Sequence, residues 1–194
     1  MTRIIGGAAR GRRLRVPSAG TRPTSDRVRE ALFSALESLL GGWAGRRVLD
    51  LYAGSGALGL EAVSRGAAHA LLVERDRRAA GVARGNVTDL GLDAATVLAA
   101  SVPVLAASAP PAQAAPPYDV VLADPPYDLA ADDLAAVLAG LMQHGWLADG
   151  AVIVLERSAR DPEWRWPDGL EPLRDRRYGE TRLWYGRRGG ADAP

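Results

Sequence analysis

The sequence predicts an α/β protein: a mostly parallel sheet with helices on both faces, an antiparallel C-terminal edge and a small N-terminal β-hairpin extension. From residue 46 onward, short apolar runs alternate with helical segments, which is typical of parallel strands joined by helical crossovers. The last of these runs is followed by two strand-like segments around a tight Gly179-Glu180 turn. The 194 residues, 47% of them hydrophobic, are enough for one substantial core.

The N-terminal segments predict a hairpin and then a helix. RIIGG and RLRVP flank the glycine-rich GGAARG, so residues 3–16 are expected to form a short β-hairpin. The Thr-Ser-Asp sequence at 24–26 supplies N-cap chemistry for a helix. Apolar residues then follow helical spacing until the Gly-Gly pair at 41–42 ends the pattern.

The sheet is predicted from five apolar runs and two closing segments. The parallel strands are expected at 47–52, 70–74, 95–100, 119–124 and 151–156, and the antiparallel pair at 170–179 and 180–186. Helices are expected at 57–65, 76–90 and 130–143, and an irregular Pro/Ala-rich loop at 106–117. The domain division expected is a basic hairpin extension over 1–22, the α/β domain over 23–188 and a disordered tail over 189–194.

Composition excludes several classes of function. The chain has no cysteine, and its two histidines, His69 and His144, are far apart, so we expect no disulfide and no metal. It has no apolar run long enough to cross a bilayer, and the start MTRIIGGAARGRR lacks the features of a signal peptide. We therefore expect a cytoplasmic, monomeric protein with no membrane partner.

The N-terminal region is strongly basic although the whole chain carries a net charge of only +1. Residues 1–29 contain eight arginines against one acid, Asp26, which gives this region a net charge of +7. Such a block is typical of a protein that holds a phosphate backbone, because arginine offers bidentate and stacking contacts. A solvated basic arm without a ligand is the alternative.

A glycine-rich segment follows the first predicted strand of the sheet. LDLYAGSGALGLE contains Gly54, Gly56 and Gly59 in the G-x-G-x-x-G spacing of dinucleotide sites, and Glu74 follows about twenty residues later, where a carboxylate can accept ribose hydroxyls. Asp50, four residues before Gly54, suits a cationic ligand better than a pyrophosphate. The pattern D-x-x-x-G-x-G resembles the first motif of class I S-adenosylmethionine-dependent methyltransferases, with an NAD-dependent oxidoreductase as the alternative.

A second motif ends the fourth predicted strand. Asp124-Pro125-Pro126-Tyr127 stops an apolar run with residues that a strand interior excludes. It resembles the [D/N]-P-P-[Y/F/W] motif of methyltransferases acting on planar amino nitrogens. Such an amine is a poor nucleophile and must be oriented: Asp124 and the Pro125 carbonyl can accept its two N–H groups, while Tyr127 stacks on the base. The carboxyl end of the strand places this motif beside the cofactor.

Further segments extend the resemblance over nearly the whole chain. They are R-I-I-x-G-x-x-R-G-R-x-L at 3–14, R-P-T-S-D-R-V-R-E-A-L-F at 22–33, L-D-L-Y-A-G-S-G-A-L-G-L-E-A at 49–62, D-P-P-Y at 124–127 and R-Y-G-E-T at 177–181. Together they resemble the RsmD-type ribosomal RNA guanine-N2 methyltransferases. The resemblance implies a Rossmann-like class I methyltransferase fold, S-adenosylmethionine as cofactor, and methylation of a guanine N2 in 16S RNA of the small ribosomal subunit.

Two other functions remain open on the sequence: an adenine-N6 nucleic-acid methyltransferase, which shares both motifs, and a non-catalytic RNA-binding assembly factor. The catalytic residues expected are Asp124, Pro125, Pro126 and Tyr127. The cofactor-binding residues expected are Asp50, Tyr52, Gly54, Ser55, Gly56, Glu74, Arg75, Ser101 and Asp124. The RNA-binding residues expected are Arg3, Arg10, Arg12, Arg13, Arg22, Thr24, Arg27 and Arg29.

Two details of these expectations depend on single positions. Related methyltransferases often place an acid after the third strand, whereas LAASVPVLAAS has none, so Ser101 is the candidate at that place. Trp164 and Trp166 are expected to anchor the core or a loop rather than to stack on a base.

Overall fold

The computed structural model describes residues 2–17 and 25–190. Its strands are β1 (Arg47–Leu51), β2 (His69–Glu74), β3 (Ala95–Ala99), β4 (Tyr118–Ala123), β5 (Leu147–Ser158), β6 (Leu170–Tyr178) and β7 (Thr181–Arg188). Its α-helices are α1 (Asp26–Leu40), α2 (Ala57–Ser64), α3 (Arg77–Leu90), α4 (Val102–Ala106) and α5 (Ala131–Gln143), and a short 3-10 helix spans Ala112–Ala114.

The seven strands form one sheet in the order β3-β2-β1-β4-β5-β7-β6. The first five strands are parallel, and β7 runs antiparallel to both β5 and β6. The predicted fold class, including its antiparallel C-terminal edge, is confirmed. Pro172 lies in β6, the outermost strand, where the absence of a backbone N–H is tolerated.

An apolar core lies on each face of the sheet, because the parallel strands are buried on both sides. Helices α1, α2 and α3 cover one face, named here the α1 face, and pack on side chains such as Val120 and Val154. Helices α4 and α5 cover the other face and pack on Val121 and Ile153. The alternation of successive residues between the two cores fixes which side chains can meet at the ends of the strands.

The N-terminal segment folds back on itself and docks on the helices of the α1 face. The backbone N–H of Ile4 donates to the Arg12 carbonyl at 2.9 Å, and that of Leu14 donates to Thr2 at 2.9 Å. One antiparallel bridge, between Arg3 and Arg13, joins the two arms. The predicted hairpin is therefore present but short, and residues 18–24 and 191–194, which include parts of the predicted extension and tail, lie outside the described residues.

Helix α1 has the ends that its sequence predicts. The hydroxyl of Ser25 accepts a hydrogen bond from the Val28 N–H at 3.3 Å, and Gly41 ends the helix with φ of 69°. This helix places its buried stripe, which includes Leu32 and Leu36, on the sheet.

The order of the strands creates a crevice at the carboxyl edge of the sheet. Strand β1 has β2 on one side and β4 on the other, so the chain leaves the two central strands in opposite directions. Leu51 pairs with Ala123, so the segments that follow β1 and β4 start side by side. Ligands of open α/β sheets bind at such a switch point.

Candidate active site

The loop after β1 is held close to the sheet by glycines, at which a larger residue would be strained or crowded. Gly56 has φ of 80°, and a Cβ on it would lie 2.4 Å from Cδ2 of Leu72. A Cβ on Gly59 would lie 2.8 Å from Cδ1 of Leu72. Gly54 has φ of 54°, and no heavy atom of the described residues lies within 4 Å of the place where its Cβ would be. The loop is thus tight against β2 and open above Gly54.

Asp50 lies beneath this loop and is almost completely buried. Its Oδ2 accepts a hydrogen bond from the Gly59 N–H at 2.8 Å, which ties β1 to the first turn of α2. Burial raises the pKa of Asp50 to about 7; the Gly59 hydrogen bond opposes this shift and the charge of Glu74 adds to it. A cation in the crevice would favour the ionised form of this carboxyl group.

Glu74, at the end of β2, fixes the other side of the loop. Its Oε2 accepts the Gly54 N–H at 2.9 Å, and its Oε1 accepts the Asp76 N–H at 2.8 Å. Each carboxylate oxygen retains further acceptor capacity, which is what the hydroxyls of a ribose require. The predicted position of this carboxylate beside the glycine loop is therefore the one found in the structure.

The remaining predicted cofactor residues stand in the segments that follow β1, β2 and β3. Tyr52 has φ of 60°, and its buried hydroxyl has no hydrogen-bond partner among the described residues. Burial raises the pKa of Tyr52 to about 12, so the phenol stays protonated. The Ser55 carbonyl accepts the Asn86 side-chain amide at 2.9 Å, Arg75 is exposed, and Ser101 precedes α4 without a side-chain cap bond.

These residues fit S-adenosylmethionine. The buried Asp50 and the half-buried Glu74 supply negative charge and hydroxyl acceptors, and the space above Gly54 lets a ligand approach the backbone closely. A pyrophosphate would instead meet two carboxyl groups. The observed crevice therefore favours a cationic nucleoside ligand over a dinucleotide.

The D-P-P-Y segment leaves β4 beside this crevice. Pro125 is buried, Asp124 is partly buried, and Tyr127 is 78% exposed. These residues line a cleft whose opposite wall comes from the end of β5, the segment that follows it and the start of β7. An exposed aromatic ring at the mouth of a cleft is suited to stacking on a planar base.

The wall formed by β5 and β7 contains site residues that the sequence reasoning did not assign. The side of the cleft opposite D-P-P-Y is lined by Glu156, Arg157, Ser158, Asp161 and Thr181. The signal that could have found them is topological: β5 is the neighbour of β4, so its carboxyl end must lie beside the catalytic motif. R-Y-G-E-T at 177–181 contributes to the family resemblance, and the structure brings its last residue to the cleft.

Arg157 links this wall to the segment after D-P-P-Y. Its Nη1 donates to the Leu129 carbonyl at 2.9 Å, and its Nε donates to Asp161 Oδ2 at 2.9 Å. The guanidinium is mostly buried, and its bond to the Leu129 carbonyl ties this wall to the segment that follows D-P-P-Y.

The predicted RNA-binding arginines fall into two groups. Arg29 has a side chain only 1% exposed, and its Nη2 donates to the Arg3 carbonyl and to Asp26, both at 2.7 Å. Arg12 donates to the Asp89 carbonyl and, at 2.8 Å, to that of Leu90. The Arg29 guanidinium is therefore buried beneath the N-terminal segment, whereas Arg12 is exposed and also bonds to the end of α3.

The other members of the predicted set are exposed or lie outside the described residues. Arg3 is exposed and forms an ion pair with Asp26 at 3.0 Å. Arg10, Arg13 and Arg27 are exposed, and their side chains form no hydrogen bond or ion pair within residues 2–17 and 25–190. Arg22 and Thr24 belong to the 18–24 segment, which the structure does not describe.

Three buried polar side chains hold the N-terminal segment and were not anticipated. Glu61 accepts the N–H groups of Ile5 and Gly6 at 2.7 and 2.8 Å. The Ser64 hydroxyl accepts the Ala9 N–H at 2.9 Å. Asn86 bonds both the N–H and the carbonyl of Arg15 at 2.9 Å. The partners are more than fifty residues apart, so local sequence patterns contain no signal for these contacts.

The two tryptophans, the helix lengths and the possible metal ligands were also the subject of predictions. Trp164 is buried in the core and Trp166 packs edge-on against it, as expected. Within residues 2–17 and 25–190, no helix is long and apolar enough to cross a membrane. The same residues contain no group of three or more side chains that could hold a metal ion.

The doubly wound sheet, the glycine loop after β1 and the D-P-P-Y cleft after β4 together define a class I methyltransferase. A protein of this class uses S-adenosylmethionine as its methyl donor. The family model described as conserved hypothetical protein 95 matches residues 2–187. The chain belongs to this family.

Comparisons with individual proteins agree with the class. The chain is 44% identical over 157 residues to the ribosomal RNA small subunit methyltransferase D of Escherichia coli, covering 79% of this chain and 73% of that protein. The structure of yhhF from Escherichia coli is similar with a TM-score of 0.82 and 34% identity, covering 97% of this chain and 98% of that one.

A more distant structure shares the fold alone. Magnesium protoporphyrin IX methyltransferase from Synechocystis, solved with bound S-adenosylmethionine, is 17% identical with a TM-score of 0.63, covering 88% of this chain and 87% of that one.

The oxidoreductase alternative is wrong, because the relatives that match most of the chain are methyltransferases. The D-P-P-Y cleft would also have no role in hydride transfer.

Proposed function

We propose that this enzyme transfers a methyl group from S-adenosylmethionine to the exocyclic N2 of a guanine in 16S ribosomal RNA, within the small ribosomal subunit. The observation that carries the proposal is the D-P-P-Y cleft beside the glycine loop, with Tyr127 exposed at its mouth. The resemblance to the RsmD type supplies the base and the RNA.

The residues of the cleft act mainly by positioning. Bound S-adenosylmethionine supplies a methyl group already activated by its sulfonium. The exocyclic amine has its lone pair delocalised into the ring, so Asp124 and the Pro125 carbonyl accept its N–H groups and fix its orientation. The nitrogen gains the methyl group as the sulfur–methyl bond breaks, and the donor leaves as a neutral thioether. The Asp124 carboxylate stabilises the positive charge that develops on the nitrogen until one of its protons leaves to solvent.

The cofactor residues have separate roles. Gly54, Ser55 and Gly56 bring the backbone close to the ligand, Glu74 accepts the ribose hydroxyls, and Asp50 favours a cationic ligand from below the loop. Tyr52, Arg75 and Ser101 complete the surroundings of the site, with Ser101 on the side of the adenine.

The exposed basic residues support an RNA substrate. A guanine in a folded RNA is reached most easily where it is unstacked from its neighbours. Arg10, Arg13 and Arg27 are the exposed candidates for the RNA backbone, and Arg3 is a weaker one because it is paired with Asp26. Arg22 and Thr24 remain predictions of the sequence.

A transfer assay with three substrates tests the proposal. Purified enzyme and labelled S-adenosylmethionine are incubated with small subunits from cells lacking the enzyme, with naked 16S RNA or with duplex DNA. We expect label in the subunits or the RNA and none in DNA. Label in DNA alone would favour the adenine-N6 alternative.

A variant of the catalytic acid separates catalysis from cofactor binding. Asp124→Ala should reduce transfer by about 100-fold or more, the usual cost of removing an electrostatic group at a reacting centre, while cofactor affinity stays nearly unchanged. Asp128 directly follows D-P-P-Y and is exposed, so Asp128→Ala is a control with the same change of charge. Retained turnover in the Asp124 variant would contradict the role given to that carboxylate.

A further inference from the structure

A second carboxylate stands across the cleft from the catalytic acid. Ala123 pairs with Leu155 in neighbouring parallel strands, so Asp124 and Glu156 are the next residues along β4 and β5. Backbones of adjacent strands lie about 4.8 Å apart. Asp124 and Glu156 both line the D-P-P-Y cleft.

The register places both acids on the α1 face. Val120 and Leu122 of β4 and Val152 and Val154 of β5 all belong to the core on that face. Alternation along each strand continues to Asp124 and Glu156. Glu156 also pairs across the sheet with Leu183, which belongs to the same core.

A threonine hydroxyl lies beside the second carboxylate. The Thr181 hydroxyl is 3.5 Å from Oε1 of Glu156, and Ser158 pairs with Thr181 across the sheet. A carboxylate only accepts hydrogen bonds, and its two oxygens can accept several donors at once. Glu156 therefore brings a hydrogen-bond acceptor to the cleft.

Guanine has two adjacent donors on one edge. Its Watson–Crick edge presents the N2 amine and the N1–H side by side, whereas the corresponding ring nitrogen of adenine is an acceptor. A site that binds the amine at Asp124 therefore meets N1 next to it. A carboxylate there gains a hydrogen bond from guanine and faces a like acceptor in adenine.

We infer that Glu156 determines base identity by accepting the N1–H of the guanine whose N2 is held at Asp124. The inference rests on the proposed function and adds the group that separates guanine from adenine, which the D-P-P-Y motif alone does not. Glu156 is a specificity residue in this account. It takes no part in moving the methyl group.

The test replaces the base as well as the residue. The nucleotide methylated by the unaltered enzyme is located first, and small subunits are then reassembled from RNA with guanine or 2-aminopurine at that position. 2-Aminopurine keeps the exocyclic amine and lacks the N1 proton. A hydrogen bond to a charged group contributes about 1.5–3 kcal/mol, so the unaltered enzyme should favour guanine by about 10- to 100-fold in kcat/KM.

The Glu156→Gln variant should lose this preference. A glutamine amide can turn its NH₂ toward the unprotonated N1, so the ratio of guanine to 2-aminopurine should fall to about one. Glu156→Ala should lose the ratio through a lower rate on guanine. Both rates are measured on one preparation, so any unfolded fraction cancels from the ratio. Glu171→Gln, an exposed carboxylate on β6, is the matched control and should keep it.

The outcomes separate this inference from the proposed function. N2-methylguanosine with an unchanged ratio in both Glu156 variants would overturn the role of Glu156 and leave the proposed function in place. Absence of guanine methylation by the unaltered enzyme would overturn both. A ratio that falls in the Glu156 variants but not in Glu171→Gln would support a direct contact rather than a general effect of charge.

Discussion

At the scale of single residues, the crevice and the cleft use carboxyl groups in different environments. Asp50 is buried under the glycine loop with one backbone N–H as partner, whereas Asp124 is partly open to the cleft in which the substrate amine is expected. Burial disfavours the charged form of Asp50 unless a cation is present. The two acids are thus suited to different tasks, one toward the cofactor and one toward the base.

This difference predicts a pH dependence of cofactor binding. The pKa of Asp50 is raised from 3.8 to about 7, so the folded protein without ligand holds a proton there below about pH 7. A cationic ligand favours the ionised group and must displace that proton. Affinity for S-adenosylmethionine should therefore rise with pH, by at most about tenfold per unit below pH 7, and level off above it.

Calorimetry between pH 5.5 and 8 measures this effect. The Asp50→Asn variant keeps an acceptor for the Gly59 N–H and has no titrating carboxyl group, so its affinity should be flat over the part of the profile that Asp50 controls. Asp76→Asn, at the start of α3, is an exposed control. An equally steep profile in the Asp50 variant would assign the dependence to another group.

At the scale of elements, the N-terminal hairpin is part of the folded domain rather than a free arm. Its backbone bonds run to Glu61 and Ser64 at the end of α2, and its last residues bond to Asn86 of α3. Glu61 is completely buried and also accepts the Arg65 Nε at 2.8 Å. The basic residues of the hairpin are therefore presented from a fixed surface.

Removing this anchor should destabilise the protein. Glu61 accepts hydrogen bonds from two backbone N–H groups and one guanidinium. Glu61→Gln replaces one of its two acceptor oxygens by an NH₂ group, which donates and cannot accept. We expect the free energy of unfolding to fall by about 3 kcal/mol. Urea denaturation followed by circular dichroism measures it, with Glu30→Gln on the exposed side of α1 as control. A change below about 0.5 kcal/mol would contradict the anchoring role.

The strands and main helices were predictable because each follows from local pattern. Strands buried on both faces read as continuous apolar runs, and the predicted runs lie within one or two residues of β1 to β4. Strand β5 begins at Leu147, earlier than predicted, because Gly150 interrupts its apolar pattern. Helix α4 was not predicted, since Pro103 in its first turn and only five residues leave no helical period to detect.

The site was predictable only where its residues stand in contiguous motifs. Asp50 and Glu74 stand at the carboxyl ends of strands, and the glycines and D-P-P-Y follow strands, so their location at one edge follows from the parallel topology. Glu156 and Thr181 reach the cleft because β5 and β7 lie beyond β4, which requires the strand order. The burial of Arg29 was not predictable either, because it depends on the hairpin that covers it.

At the scale of the whole molecule, the basic N-terminal region combines structural and exposed arginines. The guanidinium of Arg12 is bonded to the carbonyls at the end of α3, and Arg15 forms an ion pair with Asp89 at 2.6 Å. Arg10 and Arg13 are exposed beside them. Charge in the sequence therefore overstates the charge that is available to a phosphate backbone.

Replacing the exposed pair should weaken RNA binding and reduce its salt dependence. Each phosphate contact with single-stranded or looped RNA contributes about 0.7 to the slope of log K against log salt, so Arg10→Ser with Arg13→Ser should lower its magnitude by about 1.4. Filter binding at several salt concentrations measures the slope. Arg12→Ser also removes bonds to the carbonyls at the end of α3 and should lower stability as well. An unchanged slope in the double variant would remove this surface from the interface.

Identification of the methylated nucleoside tests the central claim most directly. Small subunits from cells lacking the enzyme are incubated with it and S-adenosylmethionine, the RNA is digested to nucleosides, and the product is assigned by mass spectrometry against standards. The account predicts N2-methylguanosine, formed at least about 100-fold more slowly with Asp124→Ala. N6-methyladenosine would contradict the guanine site formed by Asp124 and Glu156, and no methylated nucleoside from subunits or naked RNA would contradict the proposed reaction itself.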